Sequence, residues 1–382
     1  MKDLPIGIQT FRKIIDGGYI YADKTRYIYN LLKGTNCYFL SRPRRFGKSL
    51  LLDTIAEALS GDKGLFRGLW IYDSDYDFKK YPVIRLDMTQ METGSADALK
   101  ESLYDQINEY IEGENFQIST KLLARRFRSL ILSLHRKYGE RVAVLVDEYD
   151  IPVLDHITEI ETAEANRTVI KNFFRVLKGL DAHLHFVFFT SVSKFTRTSL
   201  FSELNNLQDI TMSNDYANIC GFTHTNLTEL FSGHLKAMNG IGILPPLSEW
   251  GADSIREQIY NWYDGYSWDG ETRVFNPFSL LNFFKAKRFK AYWFESGSPG
   301  FLIKLIRQDP ANYRNADGAV MNEAALDAMD IGSLSAVSLM FQTGYLTIGK
   351  IEQQINRLAR YTLVTPNLEV RAAFSILFDM PY

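Results

Sequence analysis

The sequence predicts an α/β fold, a parallel sheet with helices on both faces, followed by a second, mostly α region. Three observations predict it. Four short apolar runs alternate with stretches of helical spacing, which is how βαβ units read. The runs are apolar nearly throughout rather than alternating, which marks strands buried on both faces. Between the first run and the first long helix stands Gly47-Lys48-Ser49, a tight turn opening a helix.

The elements follow in order. Residues 37–41 read as the first strand, residues 42–47 as a loop, and residues 48–59 as a helix. Residues 83–87 form the second strand, and 95–112 and 119–138 carry helical spacing. Residues 142–146 are the third strand, 163–180 a helix, and 185–190 the fourth strand. After about residue 214 the pattern changes. Thr223 and Thr225 offer N-cap hydroxyls for a helix reaching about Met238. Residues 240–250, with Pro245-Pro246, read as a linker. A helix from Asp253 runs into Trp262-Tyr263-Asp264-Gly265-Tyr266. Asn276-Pro277 and Ser298-Pro299 each place a capping residue before proline, a helix-start signature. Residues 344–348 and 361–364 read as short strands, and a last helix follows Asn367. The chain therefore divides at 1–214 and 215–382, the second part helical and of winged-helix type.

Composition sets the outer limits. A chain of 382 residues, 46% hydrophobic and 23% charged, suits two or three domains of about 150 residues and a sizeable core. The formal net charge of −2 excludes a nucleic-acid binder that works by bulk positive charge, though not one with a local basic patch. Two cysteines, Cys37 and Cys220, exclude a disulfide scaffold and a self-contained Cys₄ zinc site. Phe 26, Tyr 21 and Trp 5 make the chain 14% aromatic, which points to wide packed interfaces. No apolar leader follows Met1, and no run approaches the ~18 apolar residues of a spanning helix. The expectation is a soluble, cytoplasmic protein with no membrane partner.

Gly47-Lys48-Ser49 stands where a phosphate-binding loop belongs. Such a loop needs backbone N–H groups at a helix N-terminus, a lysine reaching phosphate oxygens and a hydroxyl on Mg²⁺. Lys48 and Ser49 fill the last two roles, with Arg44, Arg45, Phe46, Gly47 and Leu50 completing the cradle. The usual glycine five positions before Gly47 is replaced by Arg42, and Pro43 stiffens the loop. Residues 142–146 lead into Asp147-Glu148. An acidic residue at the end of an apolar strand holds Mg²⁺ in such enzymes, which assigns Asp147 to the metal with Ser49. Glu148 is then the base that orients or deprotonates water. Two carboxylates capping a buried strand would look the same in isolation. The order of loop and acidic strand, about a hundred residues apart with a βα unit between, favours Mg-nucleotide binding. Thr190 and Ser191 end the fourth strand, where a polar side chain can meet the γ-phosphate or the attacking water; a self-capping loop is the plainer alternative. Lys194 and Arg197 follow as cations able to stabilise transition-state charge.

Other clusters read blandly. The six histidines show no metal-ligand spacing. Arg125-Arg126-Phe127-Arg128 and Lys285-Ala286-Lys287-Arg288 default to solvated helix faces.

Together the motifs resemble the AAA-ATPase-like family of bacteria and archaea. The resemblance rests on Tyr21-Ala22-Asp23-Lys24-Thr25, on Phe39 through Ser49 with the arginine-rich loop, and on Val146-Asp147-Glu148-Tyr149-Asp150. It rests also on Ser193-Lys194-Phe195, Leu204-Asn205-Asn206-Leu207, Cys220-Gly221-Phe222-Thr223, Trp262-Tyr263-Asp264-Gly265-Tyr266, Asn276-Pro277 and Phe341-Gln342-Thr343-Gly344-Tyr345-Leu346. It implies a P-loop ATPase core with a helical or winged-helix region behind it, and ATP with Mg²⁺ as cofactors. It implies that the arginine-rich loop is a family trait, and that Asp23 and Lys24 lie near the nucleotide. Family members commonly continue into a PD-(D/E)XK nuclease-like domain, which these 382 residues lack, so no nuclease activity is expected of them.

Three functions fit. The first is an ATP-hydrolysing switch, the second a nucleotide-holding interaction module without turnover. The third is a nucleic-acid-responsive sensor coupled to a nuclease-like partner domain. Homo-oligomers suit all three. ATP is preferred to GTP only because no Asn-Lys-x-Asp guanine reader follows the fourth strand.

Overall fold

The computed structural model describes residues 1–194, 206–238, 254–297, 300–308, 310, 313, 316–327, 335–354 and 357–379. Arg197, the 240–250 linker and the Ser298-Pro299 cap lie outside these residues. Five strands form the first sheet: β1 (Cys37–Ser41), β2 (Val83–Asp87), β3 (Val142–Asp147), β4 (Leu184–Ser191) and β5 (Gln208–Asp209). Their order is β2-β3-β4-β1-β5 and every pairing is parallel. β1 is buried at all five positions and β4 at all but one, the pattern of strands covered on both faces. The apolar runs of the sequence thus become the middle of the sheet, as expected.

Register decides what meets at the sheet's carboxyl edge. Leu40 and Ser41 lie opposite Thr190 and Ser191, and Asp87 lies opposite Asp147. The helix Lys48–Leu59 leaves this edge from the loop after β1 and packs on β3. In an open parallel sheet, the crevice beyond the strand carboxyl ends is where ligands bind.

The later part is mostly helical and carries a small antiparallel sheet, β6 (Val320–Asn322), β7 (Thr347–Gln354) and β8 (Arg357–Val364), in the order β6-β8-β7. Ser254 and Asn276 cap the helices Ile255–Tyr263 and Pro277–Ala286 with their side chains, and Thr223 forms a capping box with Asn226. An aromatic core holds these helices together: Phe231 stacks on Phe284 at 4.9 Å and Phe283 on Phe289 at 4.5 Å.

Several boundaries differ from the sequence reading. The helix after Thr223 breaks at Phe231 into His224–Leu230 and Ser232–Met238. The helix at 163–180 runs Ile160–Phe174 and tightens into 3₁₀ turns through His183. The hairpin begins at Thr347, because Gly344, at φ 90°, ends the preceding helix Ala336–Thr343 in a left-handed conformation. β5 and β6 have two and three residues, too short to show a period. Among the described residues no helix is long and apolar enough to cross a membrane.

Candidate nucleotide site

The loop after β1 turns without the usual glycine. Left-handed backbone falls on Arg45 (φ 72°) and Gly47 (φ 93°), not on Arg42, so a side chain at position 42 meets no backbone penalty. The Arg42 side chain points away from the loop mouth and is fully buried. Its Nη1 donates to the carbonyls of Ser41 (2.9 Å) and Thr211 (2.8 Å), and its Nη2 to that of Tyr216 (3.2 Å). Burial brings its pKa down to about 10, which leaves it charged at neutral pH. Phe46 packs edge-on against Tyr266 (4.8 Å) and Trp268 (5.4 Å). The indole N–H of Trp293 donates to the Arg44 carbonyl at 3.2 Å, and the Arg44 guanidinium lies 4.0 Å from Asp155. Arg45 lies over the ring of Phe278 at 5.2 Å.

Gly47 then caps the helix Lys48–Leu59, whose first N–H groups open toward a cavity. Lys48 is 3% exposed; its ammonium donates to the carbonyls of Arg42 (3.0 Å) and Pro43 (3.2 Å) and lies 3.3 Å from Glu148. Ser49 and Asp147, the latter at the end of β3, line the same cavity. Burial raises the pKa of Asp147, and the hydroxyls of Ser49 and Thr190 oppose that rise. Thr190 donates its hydroxyl to Asp147 and accepts the Glu148 N–H at 3.1 Å, so one side chain of β4 holds both acidic residues. Glu148 itself sits at φ 49°, a strained conformation for a non-glycine residue. Asp150 secures the end of β4 by accepting from the N–H groups of Val192 (3.2 Å) and Ser193 (2.7 Å) and the Ser193 hydroxyl (2.7 Å); burial lifts its pKa to about 6.

The structure therefore brings Lys48, Ser49, Asp147, Glu148 and Thr190 together. Arg44, Arg45, Phe46, Gly47 and Leu50 line the same cavity. Thr190 and Ser191 are both fully buried and neither lines the cavity; Thr190 meets it only through Asp147 and Glu148, and the Ser191 hydroxyl has no partner among the described residues. Lys194 pairs with Asp209 at 3.0 Å.

The cavity has a volume of about 480 Å³. Phe222, from the motif Cys220 to Thr223, forms part of its wall, and the rest comes from residues that motif reading did not single out: Pro5, Ile8 and Ile20 near the N-terminus, then Phe278 and Leu281 from the later region. No spacing rule reaches them, since they are ordinary apolar residues far apart in sequence. The donors present fit a magnesium nucleotide. Ser49 and Asp147 offer the hard oxygen ligands that Mg²⁺ takes, helix N–H groups and Lys48 suit phosphate, and the apolar walls suit a base. Among the described residues no cluster of three or more His, Cys, Asp or Glu forms another metal site.

Comparisons with known proteins give the family. Residues 5–201 match the family model AAA-ATPase-like, described as predicted AAA-ATPase. The chain is 40% identical over 375 residues to an uncharacterized protein in the vnfD 5′ region of Azotobacter chroococcum mcd 1, covering 98% of this chain and 69% of that protein. Among solved structures, Cdc6p from Pyrobaculum aerophilum aligns at 9% identity and a TM-score of 0.33 over 93% of this chain and 92% of the other, a likeness too distant to carry an argument. The family match and the long relative rest on independent comparisons of the same residues that build the loop, and the chain belongs to the AAA-ATPase-like family.

Proposed function

We propose that the chain is a magnesium-dependent, ATP-hydrolysing switch. The observation that carries this reading is the 3.3 Å ion pair between Lys48 and Glu148, which sets the loop lysine against the acidic strand end in the cavity that Ser49 and Asp147 also line. In the proposed reaction water attacks the γ-phosphorus, the bond to the β-bridging oxygen breaks, and ADP leaves with its electron pair. Glu148 takes the proton of the attacking water. Lys48 lets go of the Arg42 and Pro43 carbonyls and donates to phosphate oxygens. Thr190 fixes the directions of Asp147 and Glu148, with Ser191 beside it on β4. Ser49 and Asp147 would hold Mg²⁺, which supplies neutralisation of phosphate charge when bound. Residues 1–214 form the catalytic part in this reading, and 215–382 the helical, winged-helix-like part that responds to it. ATP is the one partner the reading requires; nucleic acid and a second copy of the chain are candidates for the response.

The test is phosphate release from Mg-ATP by the wild type beside Lys48→Ala, with and without DNA. The expected result is release that depends on Mg²⁺ and disappears in Lys48→Ala. A wild type that retains ATP for hours without releasing phosphate would make the protein a nucleotide-holding module instead. Stimulation by DNA would make it a nucleic-acid sensor.

A further inference from the structure

Lys24 is the N-cap residue of the helix Thr25–Lys33 and lines the nucleotide cavity. Its ammonium has three N–H groups. One donates to the Asn218 carbonyl at 2.6 Å, and Asn218 is itself held by the Tyr27 hydroxyl. Among the described residues no carboxylate pairs with Lys24, whereas Lys48 pairs with Glu148 and Lys194 with Asp209. A half-buried ammonium with one protein acceptor keeps N–H groups free to donate, and an anion entering the cavity can take them.

Its position is marked by Cys220, which also lines the cavity. The thiol lies within electrostatic reach of Lys24, Lys48, Arg42 and Asp147 together. Lys24 thus lines the same cavity as Lys48, Ser49, Asp147 and Glu148. Burial draws the Lys24 pKa down to about 8, while its titratable neighbours Cys220 and Asp23 act in the opposite direction.

We propose that Lys24 is a second phosphate-binding lysine, contacting the phosphate chain of the bound nucleotide alongside Lys48. This rests on the ATP-binding reading above. A lone carbonyl acceptor needs only a neutral N–H donor; a cation in this place is explained by an anion arriving from solution. The nucleotide brings several negative charges to a loop whose Arg42 is turned inward, and Lys24 supplies a compensating positive charge from a different segment.

The experiment measures ATP binding by calorimetry, and adenosine binding by ligand-observed NMR, for the wild type, Lys24→Gln and Lys24→Met. Gln keeps an N–H donor for the Asn218 carbonyl and removes only the charge. Thermal unfolding without ligand checks that each variant is folded. The expected result is ATP binding weakened roughly ten- to a hundredfold in both variants, with adenosine binding changed less than about twofold. ATP binding unchanged in Lys24→Gln overturns the proposal, as does an equal loss for ATP and adenosine, which marks a purely structural role. A wild type that binds no ATP removes the parent reading, an outcome separable from failure confined to the Lys24 variants.

Discussion

The guanidinium carbon of Arg42 lies 4.0 Å from the centre of the Trp268 ring. Its Nη1 and Nη2 donate to three backbone carbonyls, those of Ser41, Thr211 and Tyr216. The residue that replaces the expected glycine is therefore a fastener between the loop, the segment after β5 and the later region. Arg42→Gly would restore the common loop pattern and is expected to lower stability by about 3 kcal/mol, because carbonyls and an aromatic face lose their partner in a buried site. Thermal unfolding measures this; a variant as stable as the wild type would refute it.

Glu148→Gln is expected to hold ATP with near-normal affinity and to lose turnover by roughly 10²- to 10⁴-fold, the usual contribution of a positioned base. Single-turnover phosphate release, run beside a filter assay for retained ATP, reads both quantities. Unchanged hydrolysis would remove Glu148 from the mechanism.

Thr190→Val keeps the shape of the side chain and deletes the hydroxyl that joins Asp147 to the Glu148 N–H. Turnover is expected to fall about tenfold, with ATP affinity changed much less, since the hydroxyl orients acidic groups rather than touching the base or ribose. Equal losses in KM and kcat would point to general damage instead.

Glu369 gives a pH prediction. It is fully buried; one carboxylate oxygen accepts from the Ser279 hydroxyl (2.9 Å) and the Trp293 N–H (2.8 Å), and the other has no partner among the described residues. Burial raises its pKa from 4.5 to about 8. The folded chain thus keeps a proton that the unfolded chain releases between those values. Its contribution to stability is fully present below pH 4.5 and is lost as pH rises toward about 8. Glu369→Gln is expected to flatten that decline, by up to about 1.4 kcal/mol per pH unit. Melting curves from pH 5 to 8.5 for both proteins decide it, and parallel profiles would count against it.

The sequence showed the chemistry of the site better than its support. Gly47-Lys48-Ser49 and Asp147-Glu148 were legible because each is a short local pattern tied to an apolar strand. Thr190 was legible from its place at a strand end. The role of Arg42 was not, since its carbonyl partners at Thr211 and Tyr216 stand 169 and 174 residues away and are recruited by backbone, which carries no side-chain signature. Most of the apolar cavity walls were hidden for the same reason. In the fold, β1 to β4 announced themselves by continuous apolar runs, whereas β5 and β6 owe their existence to neighbours.

The grip of the later region on the phosphate loop also sets a timetable. Trp293 reaches the Arg44 carbonyl across 249 residues, and Gly344 touches Pro43 so closely that a Cβ there would lie 2.8 Å from the proline side chain. A growing polypeptide makes Arg44 long before it makes Trp293 or Gly344. The first sheet has all its strands once Asp209 has emerged, yet the loop gains these braces only after residues 293 and 344 have been made. Nucleotide competence therefore arrives after the architecture does, and a ribosome-bound chain stopped before residue 293 would carry the motif without its finished shape.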